Sequence, residues 1–229
     1  MPVVTDINLT LDTVQLMHRQ GIGTPEKAKP GVTALSGELL NMVNEQHLLQ
    51  PAIAYEIYNV VGIERERLSL DGGKILHGRI LSSSLSQAKA LSIVIYTIGP
   101  GLEEMVTAYF QQSEPLKATL LDGIGNAFLD SLSQQVCRIV SREAASRGYR
   151  ASGPLTPGVP GWPISDQATL FRLVPAGAAG IHLTPQAMMV PRKSLSTVYG
   201  LGTNVPDWTA AEACRRCNLK NTCSYRLRS

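Results

Sequence analysis

The chain has 229 residues, of which 44% are hydrophobic and 17% are charged, and its formal net charge is +3. This length and apolar content exclude a disordered chain and allow a sizeable hydrophobic core. The scattered basic residues are nearly balanced by acidic ones, which argues against nucleic-acid binding. No run of about 20 apolar residues predicts a membrane span, and the N-terminus lacks the pattern of a signal peptide. We therefore expect a cytoplasmic protein with no nucleic-acid or membrane partner.

The N-terminal region predicts a strand followed by two helices. Ile7, Leu9 and Leu11 alternate with polar residues, which is typical of a short half-buried strand. A brief helix is predicted over residues 13–20. Apolar residues at roughly helical spacing predict a longer helix over residues 33–49.

The centre of the chain predicts a hairpin, a buried strand and two helices. Residues 52–61 favour a strand, and the Asp-Gly-Gly turn at 71–73 lies between two apolar runs, which predicts a β-hairpin. The continuous apolar run 91–98 predicts a buried strand. It leads through a Gly-Pro-Gly turn into one helix, and the longest helix is predicted to begin after Pro115 and to end at Gly148.

The second half opens with a stretch rich in proline and glycine. Residues 151–163 contain four prolines and three glycines, so they predict neither helix nor sheet. Because proline restricts the backbone, this segment is either a shaped binding loop or a rigid surface crossover. A short helix with Ser165 as its N-cap follows, and strands are predicted over 181–183 and 194–201.

Helices and strands alternate without a regular βαβ order, which predicts an α+β fold. We divide the chain into an N-terminal α/β portion, residues 1–90, and a second portion, residues 91–229, that ends in a cysteine-rich tail. One continuous domain is the alternative.

Three of the four cysteines lie close together near the C-terminus. Cys214, Cys217 and Cys223 form a C-x2-C-x5-C motif. The first pair has the spacing at which two thiolates reach one metal ion. A fourth ligand would complete a zinc site or an iron–sulfur cluster, and Cys137 is the remaining cysteine. Reduced free thiols are the alternative.

Other motifs of catalysis and nucleotide binding are missing. The glycine-rich segments lack the dinucleotide and P-loop fingerprints. The four histidines are dispersed, and no Ser/His/Asp set can be selected from the sequence. We therefore predict no catalytic residue, and the residues leave open whether the chain is itself an enzyme.

The segments PLTPGVPGWPISDQATLFRLV and GIHLTPQAMMVPRKSLSTVYG resemble the activation (reactivation) domain of cobalamin-dependent methionine synthase. They resemble more closely its stand-alone relatives associated with corrinoid methyltransferases. The segment IVIYTIGPGLEEMV and the C-terminal cysteine motif extend this resemblance over residues 50–229. The matching positions in the two quoted segments are Pro157, Gly158, Trp162, Pro163, Asp166, Gln167, Leu170, Phe171, Leu183, Thr184, Met188, Met189, Pro191, Ser194 and Ser196.

The resemblance implies a twisted antiparallel sheet flanked by helices and a role in restoring an inactive corrinoid cofactor. In that family S-adenosylmethionine supplies the methyl group, a flavodoxin-type donor supplies the electron, and a separate corrinoid-binding protein carries the cobalamin. The proline-rich loop and the segment around residue 191 are then expected to form one cleft that faces the partner. The implied cofactor-binding residues are Pro157, Gly158, Val159, Trp162, Met189, Pro191, Arg192, Lys193 and Ser194.

The chain differs from the family pattern in the ligand loop, which there reads R-x-x-x-G-Y. Pro154 stands in place of the arginine, and Val159 stands in place of the tyrosine. Arg150 lies four residues upstream of Pro154. An arginine can bind a carboxylate through two hydrogen bonds, which proline cannot do. The alternative function is therefore a non-catalytic scaffold module of a corrinoid methyltransferase system that has lost S-adenosylmethionine binding.

Overall fold

A computed structural model describes residues 3–11, 16, 30–207 and 221 of the chain. The helices in these ranges are α1 (Pro30–Glu45), α2 (Arg79–Ser84), α3 (Gly101–Gln111), α4 (Pro115–Ser146) and α5 (Gln167–Leu173). The strands there are β1 (Val3–Val4), β2 (Ala52–Glu64), β3 (Arg67–Leu70), β4 (Lys74–His77), β5 (Ala90–Thr97), β6 (Arg150–Ala151), β7 (His182–Leu183), β8 (Met189–Val190) and β9 (Ser194–Gly202).

Within the described residues, seven of these strands form one antiparallel sheet. Its order is β4-β3-β2-β5-β9-β6, and β1 pairs with β2. β7 and β8 form a separate two-stranded sheet. The protein is therefore α+β, as predicted, with an antiparallel sheet flanked by helices. β2 lies in the predicted portion 1–90, and it pairs from Ala52↔Thr97 to Asn59↔Ala90 with β5, which lies almost wholly in the portion 91–229. Strands from both portions therefore belong to the same sheet.

β5 is the central strand, and every one of its residues is buried. Its neighbours β2 and β9 pair with it along its whole length. Val94 and Tyr96 point to one face of the sheet, whereas Ile93 and Ile95 point to the other. Burial on both faces explains why this strand is a continuous apolar run rather than an alternating one, and it confirms the strand predicted over 91–98.

The first face of the sheet, which we call the helix face, is covered by α1, α3 and α4. The long helix α4 presents one apolar stripe to the sheet, as its periodicity predicts. The stripe residues are almost completely buried and are Leu121, Ile124, Phe128, Leu132, Val136 and Val140.

The opposite face, which we call the loop face, is covered by shorter pieces. α2, α5, the 3-10 turn Ala176–Ala179 and the proline-rich loop pack there around Trp162 and Leu170. Both side chains are buried, at 1% and 0% exposure respectively. The loop face therefore depends on segments that are far apart in the sequence.

Most of the other predicted elements are confirmed. The hairpin forms through β3 and β4, with a 3-10 turn at Asp71–Gly73 and φ of 65° at Gly72. The predicted strand 52–61, the helix 33–49, the helix after Gly-Pro-Gly and both late strands correspond to β2, α1, α3, β7 and β9. The helix predicted over 13–20 lies outside the described residues, except for residue 16.

Two local predictions are wrong. Residues 5–11 form no strand; Leu9 is buried against the helix face, and Gln135 Nε2 of α4 donates a 2.8 Å hydrogen bond to the carbonyl of Asn8. This segment packs on helices instead of extending the sheet, so alternating apolar residues here do not indicate a strand. Ser165 does not cap α5, because it lies inside the 3-10 turn Ile164–Asp166 and makes no capping hydrogen bond.

No helix within the described ranges has the length and apolar character needed to cross a lipid bilayer.

Candidate functional site

The proline-rich loop forms a tight turn on the loop face. Leu155 is bridged to Val198 of β9 by two backbone hydrogen bonds of 2.9 and 2.8 Å. Beyond it, the N–H of Gly158 donates to the carbonyl of Trp162 at 2.8 Å, and the N–H of Trp162 donates to Val159 at 3.0 Å. Gly158 has φ of 95°, a conformation that favours glycine. The loop is therefore shaped by its own hydrogen bonds and anchored by a buried tryptophan.

A second segment, from the end of the β3–β4 hairpin, faces this loop. The N–H of Gly78 donates to the carbonyl of Glu66 at 3.0 Å, which holds the two ends of the hairpin together. The residues after Gly78 lie beside the loop, since a Cβ atom on Gly161 would be 3.5 Å from the backbone nitrogen of Ile80. Gly78 has φ of 154°, and a Cβ atom there would lie 3.2 Å from Trp162 Cδ1. The hairpin can approach the tryptophan this closely because residue 78 has no side chain.

Between the two segments lies a cleft of about 630 Å³. This volume lies within the usual range for small-molecule sites. The lining residues are Glu66, His77, Gly78, Arg79, Gly158, Val159, Gly161, Trp162, Pro163 and Asp166.

The cleft carries ionisable side chains of both signs. Glu66 and Asp166 are acidic, Arg79 is basic, and His77 is a further titratable group. Within the part of the chain that the structure describes, none of these four side chains makes an ion pair or a side-chain hydrogen bond. The cleft therefore offers charged groups of both signs to a ligand.

Trp162 contributes a further polar group. Its indole Nε1 is buried and has no hydrogen-bond partner among the described residues. A buried donor without an acceptor is costly, by about 1–3 kcal/mol. A ligand with acceptor atoms that reaches this N–H after a small local shift would remove that cost. The cleft thus fits a polar ligand that carries both charged groups and hydrogen-bond acceptors.

The structure brings together part of the predicted cofactor-binding set. Gly158, Val159 and Trp162 line the cleft. Pro157 is buried directly before them. Met189 packs against the same apolar cluster on the loop face. The proline-rich segment accordingly forms one wall of a cleft.

The other predicted residues lie elsewhere, against the helices. The backbone N–H of Arg192 donates to Glu103 Oε2 of α3 at 2.8 Å. Lys193 Nζ lies 2.7 Å from Asp122 Oδ1 of α4, and the lysine side chain is only 12% exposed.

The same ammonium group donates to Asn126 Oδ1 at 2.6 Å, and Ser194 Oγ donates to the carbonyl of Pro191 at 2.6 Å. None of residues 191–194 is among the described residues that line the cleft. The second wall is therefore the hairpin and not the segment after Pro191.

Metal binding by the cysteines is a separate matter. Cys214, Cys217 and Cys223 lie outside the described residues. Cys137 is half-buried on α4, and its Sγ lies 3.4 Å from the hydroxyl of Tyr199. No group of three His, Cys, Asp or Glu side chains in the described ranges is arranged to hold a metal ion.

Sequence reasoning missed the hairpin side of the cleft. Glu66, His77 and Arg79 lie about 80 residues before the proline-rich loop. Only the hairpin signal at 71–73 pointed to this region, and it says nothing about which loop the hairpin contacts. Arg150, which is near Pro154 in sequence, lies on β6 opposite Gly202 and not among the residues that line the cleft.

Comparison with known proteins agrees with this architecture. No protein-family model matches the chain, and no curated protein matches it. Among solved structures, the MetH reactivation domain bound to AdoHcy is similar, with a TM-score of 0.64 at 14% sequence identity. The similarity covers 88% of this chain and 72% of that chain. The chain therefore has the fold of a methionine synthase activation domain.

Proposed function

We propose that the protein is an accessory factor for a corrinoid methyl-carrier protein and that its cleft binds S-adenosylmethionine and its product S-adenosylhomocysteine. The observation that carries this proposal is the cleft itself, because one wall is the loop in which the sequence resembles the ligand loop of activation domains. The similar fold of a domain that binds AdoHcy supports it.

The chemistry of the cleft is compatible with such a ligand. S-adenosylmethionine carries a sulfonium cation, which Glu66 and Asp166 attract. Its adenosine has several hydrogen-bond acceptors. One of them could accept from the indole N–H of Trp162, which has no partner among the described residues. Since the cobalt and the sulfonium supply the reactivity, this chain needs no acid–base pair of its own.

The partner supplies the reacting metal. In the proposed reaction one electron from a flavodoxin-type donor reduces the cobalt(II) of the partner's corrinoid. The resulting cobalt(I) would supply the electron pair of the new cobalt–carbon bond as the methyl group leaves the sulfonium, and the sulfur would keep the pair of the broken bond as the thioether of S-adenosylhomocysteine. In this reaction the accessory factor binds the methyl donor and holds it against the partner.

Ligand binding is tested by calorimetric titration of the full chain with S-adenosylmethionine and S-adenosylhomocysteine. Thermal unfolding is the second measurement. At a ligand concentration one hundred times its Kd, mass action predicts about 2.7 kcal/mol of added stability, which raises the Tm. The double variant Glu66→Gln/Asp166→Asn should weaken S-adenosylmethionine binding. Glu104→Gln, an exposed change on α3 away from the cleft, should not.

Reactivation is tested separately with a corrinoid methyl-carrier protein in its cobalt(II) state, reduced flavodoxin and S-adenosylmethionine. Methylation of the corrinoid, followed by its absorption spectrum, should depend on this protein. If neither ligand binds to the wild type and the corrinoid stays unmethylated, the proposal is wrong. A scaffold module of the same methyltransferase system then becomes the better account.

We also propose that the C-x2-C-x5-C motif binds zinc or an iron–sulfur cluster, because clustered thiolates in a reducing compartment are typical ligands of both. Elemental analysis of anaerobically purified protein should find zinc or iron, and Cys217→Ala should lose it. Equal metal content in the two proteins, or none in either, would favour free thiols.

A further inference from the structure

Arg79 has an unusual position in the cleft. It is the first residue of α2, directly after Gly78, and its side chain is exposed. Its guanidinium makes no ion pair or hydrogen bond with the described residues, although Glu66 and Asp166 line the same cleft. An arginine at a cleft wall with all its donors available is a candidate for binding an anionic group of a ligand.

The loop on the other wall lacks such a group. Position 154, where the resembling ligand loop has arginine, is Pro154, and Arg150 is held on β6 outside the cleft. Lys193 is also unavailable, because Asp122 and Asn126 bind its ammonium group on the helix side. Among the described residues that line the cleft, Arg79 is the single arginine.

We infer that Arg79 binds the α-carboxylate of the ligand's amino-acid group, from the wall opposite the proline-rich loop. This inference rests on the proposed function and assigns the side chain that recognises the amino-acid end of that ligand. The guanidinium can donate two parallel hydrogen bonds to one carboxylate. Glu66 and Asp166 are the carboxylates in the cleft that can receive the α-ammonium group.

The orientation of the ligand follows from this assignment. The amino-acid end lies against the hairpin, where Arg79 begins α2. The adenosine end lies toward the loop, where the indole N–H of Trp162 has no acceptor. The positive charge of Arg79 on the hairpin wall and the neutral donor of Trp162 on the loop wall would fix the direction in which the ligand enters.

The test compares two ligands on the wild type, Arg79→Ala and Arg79→Lys by calorimetry. S-adenosylhomocysteine has the amino-acid group, and 5′-methylthioadenosine keeps the adenosine and the thioether but lacks that group. Arg79→Ala should raise the Kd for S-adenosylhomocysteine about ten- to 150-fold and leave the Kd for methylthioadenosine unchanged. Arg79→Lys keeps the charge without the paired donors, so its Kd for S-adenosylhomocysteine should lie between those of the wild type and Arg79→Ala.

Arg142→Ala removes the same charge from an exposed site on α4 and should change neither Kd. If Arg79→Ala leaves S-adenosylhomocysteine binding intact, or weakens both ligands equally, the assignment of Arg79 is overturned while ligand binding stands. If the wild type binds neither ligand, the proposed function fails and this inference fails with it.

Discussion

The two faces of the central sheet are built in different ways. The helix face is covered by three helices, two of which are joined by a turn of only three residues, between Gln111 and Pro115. The loop face is assembled from a hairpin, short helices and a proline-rich loop that come from distant parts of the chain. The two faces therefore differ in role. The helix face contains a long continuous core that stabilises the fold, and the loop face contains the cleft.

The largest expected effect is on stability and belongs to the helix face. Phe128 is completely buried in the stripe of α4. Phe128→Ala should lower the free energy of unfolding by about 3–5 kcal/mol, through lost burial and the cavity that remains. Urea denaturation measures this change.

Phe110→Ala is the matched control, since that phenylalanine is 55% exposed on α3. It should change the free energy of unfolding by about 0.5 kcal/mol or less. Similar losses for the two variants would show that the stripe of α4 is not a main source of stability.

Alkaline pH is also expected to lower the free energy of unfolding strongly, because of two buried tyrosines on the helix face. Burial raises the pKa of Tyr96 and Tyr199 above the usual value of 10.0. Above pH 10 the unfolded chain loses these protons and the folded chain keeps them, so stability falls as pH rises. Each tyrosine contributes at most about 1.4 kcal/mol per pH unit, so the pair should give a limiting slope of about 2.7 kcal/mol per pH unit once both are deprotonated in the unfolded chain.

Tyr199→Phe should remove about half of that slope in urea denaturation between pH 10 and 11. This variant also removes the hydroxyl that contacts Cys137 at 3.4 Å, so its stability at pH 7 is the reference. An unchanged slope would mean that the buried hydroxyl of Tyr199 does not control alkaline unfolding.

A third effect concerns the link between β9 and the helices. Lys193→Met keeps most of the apolar stem of the side chain and removes the charge that binds Asp122 and Asn126. Loss of these charge-assisted bonds should lower the free energy of unfolding by about 1.5–3 kcal/mol. Ligand affinity should not change, because Lys193 does not line the cleft.

Lys117→Met is the control for this variant, since Lys117 forms an ion pair with Glu114 that is more exposed than that of Lys193, with 39% of the Lys117 side chain accessible. It should lower the Tm less than Lys193→Met does. Loss of S-adenosylhomocysteine binding in Lys193→Met, with the fold intact, would move the ligand site to the helix side.

The smallest effect is expected in the cleft. Val159→Tyr adds an aromatic ring at a position where the resembling ligand loop has tyrosine. An added aromatic contact of about 0.5–1.5 kcal/mol should lower the Kd for S-adenosylhomocysteine about two- to twelvefold. Calorimetric titration measures the change.

Val61→Tyr makes the same substitution on β2, at a side chain that is 67% exposed, and should leave the Kd unchanged. A weaker affinity in Val159→Tyr would show that the ring blocks the cleft instead of lining it.

How far the fold can be predicted also differs between the faces. The periodicity of α4 and the continuous apolar run of β5 predict the helix and the strand because burial repeats locally along each element. Alternation is less certain. Ile7, Leu9 and Leu11 alternate like a strand, but they pack on helices, since Gln135 binds the backbone of Asn8.

The cleft shows the same limit. The sequence by itself determined the turn chemistry of the hairpin and the rigidity of residues 151–163, because glycine and proline act on their own backbone. Only the tertiary structure decided that Arg79 and Gly158 line one cleft, and that Lys193 is bound by α4 instead. Contacts between segments about 80 residues apart depend on how the layers pack, and no local pattern records that packing.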